Sequence, residues 1–279
     1  MNIDNNLLQQ VIAVATAAGD KIMSIYNRKG DFNITLKPDH SPLTEADLAA
    51  NRTIINGLST IDANTPILTE ETGGPNFSVR RHWTCYWLVD PLDGTKEFIN
   101  RNDEFTVNIA LIQSGVPILG VVYVPVTGVI YTGLQGHGAY KVVQGARGET
   151  QPIAVRSLKN RIDNGLPIDI VTSHHHGTAE VDALCMLIEQ HLAPIKKRSM
   201  GSSLKICLVA EGQADLYPRF GLTSEWDTAA AQAIVEAAGG HVVDHDLKPL
   251  RYNQKENMLN PPFYVMGDEI EHWQKHLSS

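Results

Sequence analysis

The sequence predicts a mixed fold: an α+β half over residues 1–155 and an α/β half over residues 156–279. Three observations lead there. Helical periodicity opens the chain. A run of strand-like segments separated by short turns then extends to Val143. Past about Gln151, strand-like and helix-like segments alternate. The chain has 279 residues, 43% of them hydrophobic, so a buried core is available and general disorder is excluded.

The elements follow in order. Leu7, Val11, Val14, Ala18, Ile22 and Ile25 recur at spacings of three and four, which marks one helical face, with Asp4 as its N-cap. Lys29 to Pro42 reads as loop or edge structure. A second helix starts at Thr44, where Thr44 and Asp47 have capping-box spacing and Leu48, Ile54, Ile55 and Leu58 follow. Pro66 to Thr69 is a short strand ending at Glu70-Glu71. Trp83 to Asp90, Phe105 to Ile112, Pro117 to Val124, Gly128 to Thr132 and Ala139 to Val143 are strands of an antiparallel meander. In the second half, strands are expected at Ile168 to Thr172, Ile195 to Arg198, Ala214 to Tyr217, His241 to Val243 and Phe263 to Met266. Helices are expected at Thr178 to His191, Ser203 to Glu211, Thr228 to Ala238 and Glu269 to Leu277.

Charge and cysteine usage narrow the function. Lys plus Arg is 23 and Asp plus Glu is 31, a formal net charge of −8. That balance argues against binding nucleic-acid polymers or an anionic membrane surface. Cys85, Cys185 and Cys207 are scattered and form neither a zinc-ligand spacing nor a disulfide framework, which fits a reducing, cytoplasmic compartment. The N-terminus lacks the basic start and apolar core of a signal peptide. No apolar run reaches the roughly 20 residues that cross a bilayer. Peripheral contact with the inner membrane face stays open.

The segment Asp90-Pro91-Leu92-Asp93-Gly94-Thr95 carries the most chemistry. An apolar strand delivers two carboxylates to one tight turn, where they can converge on a hard divalent cation, with the Leu92 carbonyl as a further donor. An ordinary Pro-Asp-Gly turn is the structural alternative. Glu70-Glu71 is either a solvated loop or half of a metal site. Asp227 is either a helix N-cap or a carboxylate aimed at a cation from a helix N-terminus. Asp47 is either a capping residue or a catalytic acid. Gly201-Ser202-Ser203 before an apolar helix can offer N–H groups and hydroxyls to an anion, and Lys205 can add a point charge for a second phosphate. The other reading is a Ser cap and a solvated Lys. His174-His175-His176 reads as a polar loop or a source of incidental metal affinity, and Ile195-Lys196-Lys197-Arg198 as a solvated basic run that can also attract an anion. Arg219 faces either the pocket or the surface.

Taken together, these motifs resemble the inositol monophosphatase superfamily of Mg²⁺-dependent, lithium-sensitive phosphatases. The matching residues are Ser41-Pro42-Leu43-Thr44-Glu45-Ala46-Asp47, Glu70-Glu71, Trp87 to Phe98, Gly201 to Lys205 and Trp226-Asp227-Thr228-Ala229-Ala230. They follow the family's order along essentially the whole chain. Lys96-Glu97-Phe98, Glu211-Gly212-Gln213-Ala214 and Tyr217-Pro218-Arg219-Phe220 resemble its bacterial 3'(2'),5'-bisphosphate nucleotidase branch.

The resemblance implies a layered sugar-phosphatase-type fold. It also implies metal ligands at Glu70, Asp90, Asp93, Asp227 and the Leu92 carbonyl, holding about two or three Mg²⁺ ions. Asp47 and Thr95 match the pair that orients or deprotonates the attacking water, with Glu70 beside them. Gly94 and Thr95 match the phosphate-binding turn. Gly201, Ser202, Ser203, Lys205 and His176 match the nucleotide pocket, while His174 and His175 depart from the family's pattern. The implied substrate is adenosine 3',5'-bisphosphate, hydrolysed to AMP and phosphate, with 3'-phosphoadenylyl sulfate as a second substrate. Inositol or sugar phosphates are the alternative within the superfamily. A non-catalytic sensor or a nuclease is the alternative outside it. Monomer and homodimer both occur in the family.

Overall fold

The computed structural model describes residues 2–28, 33–37, 41–143, 149–174 and 179–277. The first half runs α1 (Asn5–Tyr26), β1 (Ile34–Leu36), β2 (Pro42–Thr44), α2 (Glu45–Ile61), β3 (Ile67–Thr69), α3 (Phe77–Arg80), β4 (Cys85–Asp93) and α4 (Thr95–Asn100). It continues through β5 (Thr106–Gln113), β6 (Val116–Val124), β7 (Val129–Leu134), β8 (Gly138–Val143) and β9 (Glu149–Ile153). The second half runs α5 (Leu158–Asp163), β10 (Ile168–Ser173), α6 (Ala179–His191), β11 (Ile195–Met200), α7 (Leu204–Ala210) and β12 (Leu216–Arg219). It closes with α8 (Glu225–Ala237), β13 (His241–Asp244), β14 (Phe263–Met266) and α9 (Ile270–Leu277).

Both early helices start as their sequences dictate. The Asp4 carboxylate accepts the Leu7 N–H at 2.9 Å, and α1 buries Leu7, Val11, Ala15, Ala18, Ile22 and Ile25. Thr44 and Asp47 form a complete capping box at α2. These two helices cover one face of a sheet ordered β3-β4-β5-β6-β7-β8-β9 among the described residues. β3 pairs parallel to β4, and the remaining pairs are antiparallel. The opposite face packs on α8. A second, mixed sheet, ordered β11-β10-β12-β14-β13, lies beyond α7 and α8. Its outer face is closed by α6 and α9 around Trp273. The layers therefore read helix, sheet, helix, sheet, helix.

Several elements differ from the sequence expectation. β4 continues past Asp90 to Asp93 through an irregularity in its pairing with β5, so the two acids sit on a bulged strand end instead of a free turn. Within and just after the stretch read as loop or edge structure, β1 pairs antiparallel with β2. β9 is mostly exposed and lacks an apolar face, so periodicity does not mark it. α8 starts three residues before Thr228, at Glu225, with Ser224 as its N-cap. No helix among the described residues is long and apolar enough to cross a membrane.

α8 lies unusually close to the sheet. A Cβ on Gly120 would stand 2.0 Å from the Ala230 carbonyl oxygen, and one on Gly133 would stand 2.5 Å from the Ile234 Cα. The alanines of α8 are the matching half of this contact: Ala229, Ala230, Ala231 and Ala233 are all buried. Gly120→Ala should therefore cost about 1–3 kcal/mol of stability, since the obstruction is backbone and cannot rotate away. Urea unfolding measures it, and an unchanged midpoint would mean that α8 shifts freely off β6.

Candidate active site

The site forms where β4, α2 and α8 point their acidic ends together. Asp90 and Asp93 come from the end of β4. The β4 bulge lets Asp90 fold back, its carboxylate accepting the Leu92 N–H at 3.0 Å. Asp93 is gripped across the fold: its Oδ2 accepts from the Ser203 N–H at 2.6 Å, from Asn108 at 3.3 Å and from Thr106 at 3.5 Å. Asp227 comes from the first turn of α8, where its Oδ2 accepts the Ser224 N–H at 2.8 Å and completes a capping box. The N-cap reading is thus corrected by three residues: Ser224 caps, and Asp227 reaches back. The positive helix end favours an anionic side chain there.

Asp47 occupies the corresponding place in α2. Its Oδ2 accepts from the Thr44 N–H at 2.8 Å and the Thr44 hydroxyl at 2.6 Å. Its Oδ1 accepts the Thr95 hydroxyl at 3.2 Å, and that hydroxyl also lies 3.4 Å from the Leu92 carbonyl. Gly94 takes φ +93° to turn the chain from β4 into α4, a conformation that suits glycine. Glu70 follows β3 and meets the Lys37 ammonium at 2.7 Å; Glu71 meets the same ammonium at 2.7 Å.

The electrostatics call for cations. Burial raises the Asp90 carboxyl well above its ordinary range, and the charges of Glu70, Asp93 and Asp227 add to this. Burial likewise raises Asp227, with Asp93 and Glu70 contributing. Asp93 is raised by burial, against the opposing pull of Lys205. Burial would lower Lys37, but Glu70 and Glu71 outweigh it and raise it. These oxygen donors suit a hard divalent ion such as Mg²⁺. Among the described residues, however, no three carboxylate, imidazole or thiol side chains are drawn close enough to hold an ion as they stand. Glu70 is paired with Lys37, and one oxygen of Asp93 accepts the Ser203 N–H.

Beside the acids lies a cavity of about 160 Å³. Asp93, Gly94, Ser202, Ser203, Lys205, Arg219 and Asp227 line it, with Lys96, Ser173, Tyr217 and Phe263 among the others. Lys205 is buried, donates to the Ser202 carbonyl at 2.6 Å and the Met200 carbonyl at 3.3 Å, and lies over the Tyr217 ring at 5.6 Å. Burial pushes its ammonium down to about 8. Arg219 lines the cavity while donating to the Gly221 and Leu222 carbonyls at 3.0 and 2.9 Å.

The Gly201-Ser202-Ser203 turn departs from the sequence expectation. The Gly201 N–H donates to Glu104 at 2.5 Å and the Ser203 N–H to Asp93, so neither stands open to an anion. The Ser203 hydroxyl bonds Asn108 at 2.9 Å instead of capping α7. His174 pairs with Glu104 at 2.7 Å. His175 and His176 lie outside the described residues.

Sequence reasoning missed Thr106 and Asn108. They are two apart on β5, hence on one face, and are polar in a strand otherwise almost wholly apolar. That pattern was readable. Lys37 had no such signal.

The inositol monophosphatase family model matches residues 4–276. The chain belongs to that family. Within it, the chain is 49% identical to the 3'(2'),5'-bisphosphate nucleotidase CysQ of Escherichia coli K12 over 259 residues, covering 93% of this chain and 99% of the relative. It is 42% identical to CysQ of Buchnera aphidicola, covering 95% of each chain. The crystal structure of CysQ from Bacteroides thetaiotaomicron superposes with a TM-score of 0.80 at 41% identity, over 95% of this chain and 98% of that one. The layered fold of the family is the one observed.

The crowding of buried acids has a stability signature. Asp90→Asn keeps the Oδ1 acceptor for Leu92 and removes one of the repelling charges. In chelator, the metal-free variant should be as stable as the wild type or about 1 kcal/mol more stable. Thermal unfolding in EDTA checks this. A variant clearly less stable than the wild type would show that repulsion is not a net cost at this site.

Proposed function

We propose that this chain is a cytoplasmic, Mg²⁺-dependent phosphatase that removes the 3'-phosphate of adenosine 3',5'-bisphosphate, giving AMP and phosphate. 3'-Phosphoadenylyl sulfate is its second substrate. The observation that carries the reading is the junction of two features at Asp93 and Asp227: a set of mutually repelling buried acids, and a cavity lined by Lys205 and Arg219. The nucleotidase names of the relatives support the choice of substrate.

Glu70, Asp90, Asp93, Asp227 and the Leu92 carbonyl would hold about two or three metal ions. When bound, such ions supply neutralising charge for the phosphoryl group, a lowered pKa for a water and stabilisation of the leaving oxygen. The chain itself supplies the base. Asp47 has one oxygen fixed by Thr44 and the other on the Thr95 hydroxyl. Thr95 can therefore accept a proton from the attacking water while passing its own to Asp47. Burial raises the Asp47 carboxyl and makes it a stronger base than an exposed aspartate. Lys205 and Arg219 supply positive charge for a second phosphate. An ammonium lowered to about 8 by burial is held more firmly in its charged form when an anion settles beside it. The three free cysteines are consistent with a reducing compartment and take no part.

A substrate panel tests the reading directly. Adenosine 3',5'-bisphosphate should be hydrolysed far faster than inositol 1-phosphate or a sugar bisphosphate, and only with Mg²⁺ present. A marked preference for inositol phosphate would replace the nucleotide assignment and leave the metal site standing. Asp93→Ala should abolish Mg²⁺-dependent phosphate release while the circular dichroism spectrum is retained. Thr95→Ala should lower kcat by about 10²-fold, the scale of a lost proton relay, with a much smaller change in KM. An unchanged kcat would remove Thr95 from the chemistry.

A further inference from the structure

The cavity has two walls that are remote in sequence and meet through one carboxylate oxygen. Ser173, at the end of β10, and Ser202, before α7, both line the cavity. The neighbour of each is bonded to Glu104. His174 Nε2 lies 2.7 Å from Glu104 Oε2, and the Gly201 N–H donates to the same oxygen at 2.5 Å. Glu104 itself lies outside the lining, on the segment between α4 and β5.

The turn it holds is tightly seated. A Cβ on Gly201 would stand 2.8 Å from the Glu97 Cγ and 2.9 Å from the Glu104 carbonyl oxygen, so the turn rests directly on the Glu104 segment. Ser202 then takes φ +44°, a left-handed conformation that a non-glycine residue keeps only when its surroundings enforce it. Three side chains do so. Glu104 holds the Gly201 N–H, Lys205 holds the Ser202 carbonyl and Asp93 holds the Ser203 N–H. Asp93 and Lys205 face the cavity as well, whereas Glu104 grips the turn from behind.

We infer that Glu104 is a positioning residue for substrate binding: by bonding His174 and Gly201 through one oxygen, it sets the distance between the Ser173 and Ser202 walls. The inference rests on the nucleotidase reading for the identity of the ligand, but not for the clamp. A carboxylate beside an anion-binding cavity opposes the ligand's charge, so its use there is geometric. Glutamine preserves the acceptor for Gly201 and removes the charge, which separates geometry from electrostatics.

The experiment compares wild type, Glu104→Ala and Glu104→Gln. Steady-state kinetics with adenosine 3',5'-bisphosphate are combined with hydrogen–deuterium exchange of the peptide covering residues 199–206. In Glu104→Ala, KM should rise about tenfold, kcat should fall by less than KM rises, and the 199–206 amides should exchange faster. Glu104→Gln should recover most of both effects. Unchanged exchange in the alanine variant would overturn the clamp. A fall in kcat at constant KM would also overturn it, because Glu104 would then serve the chemistry. Equal damage in both variants would assign the effect to charge and refute a geometric role. If the wild type fails to hydrolyse the bisphosphate while exchange still rises in Glu104→Ala and is restored in Glu104→Gln, the clamp stands and the nucleotide reading falls. Should Glu104→Ala not fold, faster exchange and higher KM in Glu104→Asp, whose carboxylate is one methylene shorter, support the clamp, and wild-type values in both refute it.

Discussion

Like charges held together away from water repel, and Asp90, Asp93 and Asp227 share that condition with Glu70 nearby. Much of the surrounding structure acts to keep them there. The bulged end of β4 turns Asp90 onto its own backbone. Thr106, Asn108 and the Ser203 amide hold Asp93, and the first turn of α8 holds Asp227. Each contact is a donor aimed at an anion, and such charge-assisted bonds are stronger than neutral ones. Together they offset part of the cost of burial. A bound divalent ion would offset more, which is how a chain of net charge −8 can receive a polyanion.

The same acids depend on layers that are not themselves acidic. Asp227 is placed by α8, and α8 is placed by its contact with Gly120 and Gly133 on the large sheet. Asp93 is placed by a bond to Ser203, 110 residues further along the chain. The apolar cluster around α8 contains Leu88 and Val122 from the large sheet together with Val242 and Val265 from the small one. The site is therefore assembled by tertiary packing, and no single segment contains it.

Local order was legible in the sequence because it is written as periodicity and end signals. The apolar stripe of α1, the Thr44–Asp47 box and the meander strands all have such marks. The acids were legible as well, since each follows an apolar strand or opens a helix. Contacts between distant segments were not. Nothing near Lys37 announces that it will meet Glu70 and Glu71, and nothing near Gly201 announces Glu104. β9 escaped for another reason: an exposed edge strand of Glu149-Thr150-Gln151-Pro152-Ile153 has no buried face to impose alternation. The family resemblance supplied candidate roles, but it did not foresee that the Gly201 and Ser203 amides are already committed to carboxylates.

The two capping boxes divide the labour of their acids. Asp47 and Asp227 each commit one oxygen to starting a helix; the other oxygen of Asp47 accepts the Thr95 hydroxyl, and Asp227 also lines the cavity. Under the proposed roles, an alanine at either position would be felt twice in a living cell, as lost turnover and as a frayed helix that quality-control proteases can engage. Such a lesion removes the protein along with its activity. A gene copy drifting toward a new, non-catalytic duty would therefore be expected to keep these two aspartates longest, because they maintain the scaffold that the new duty would inherit.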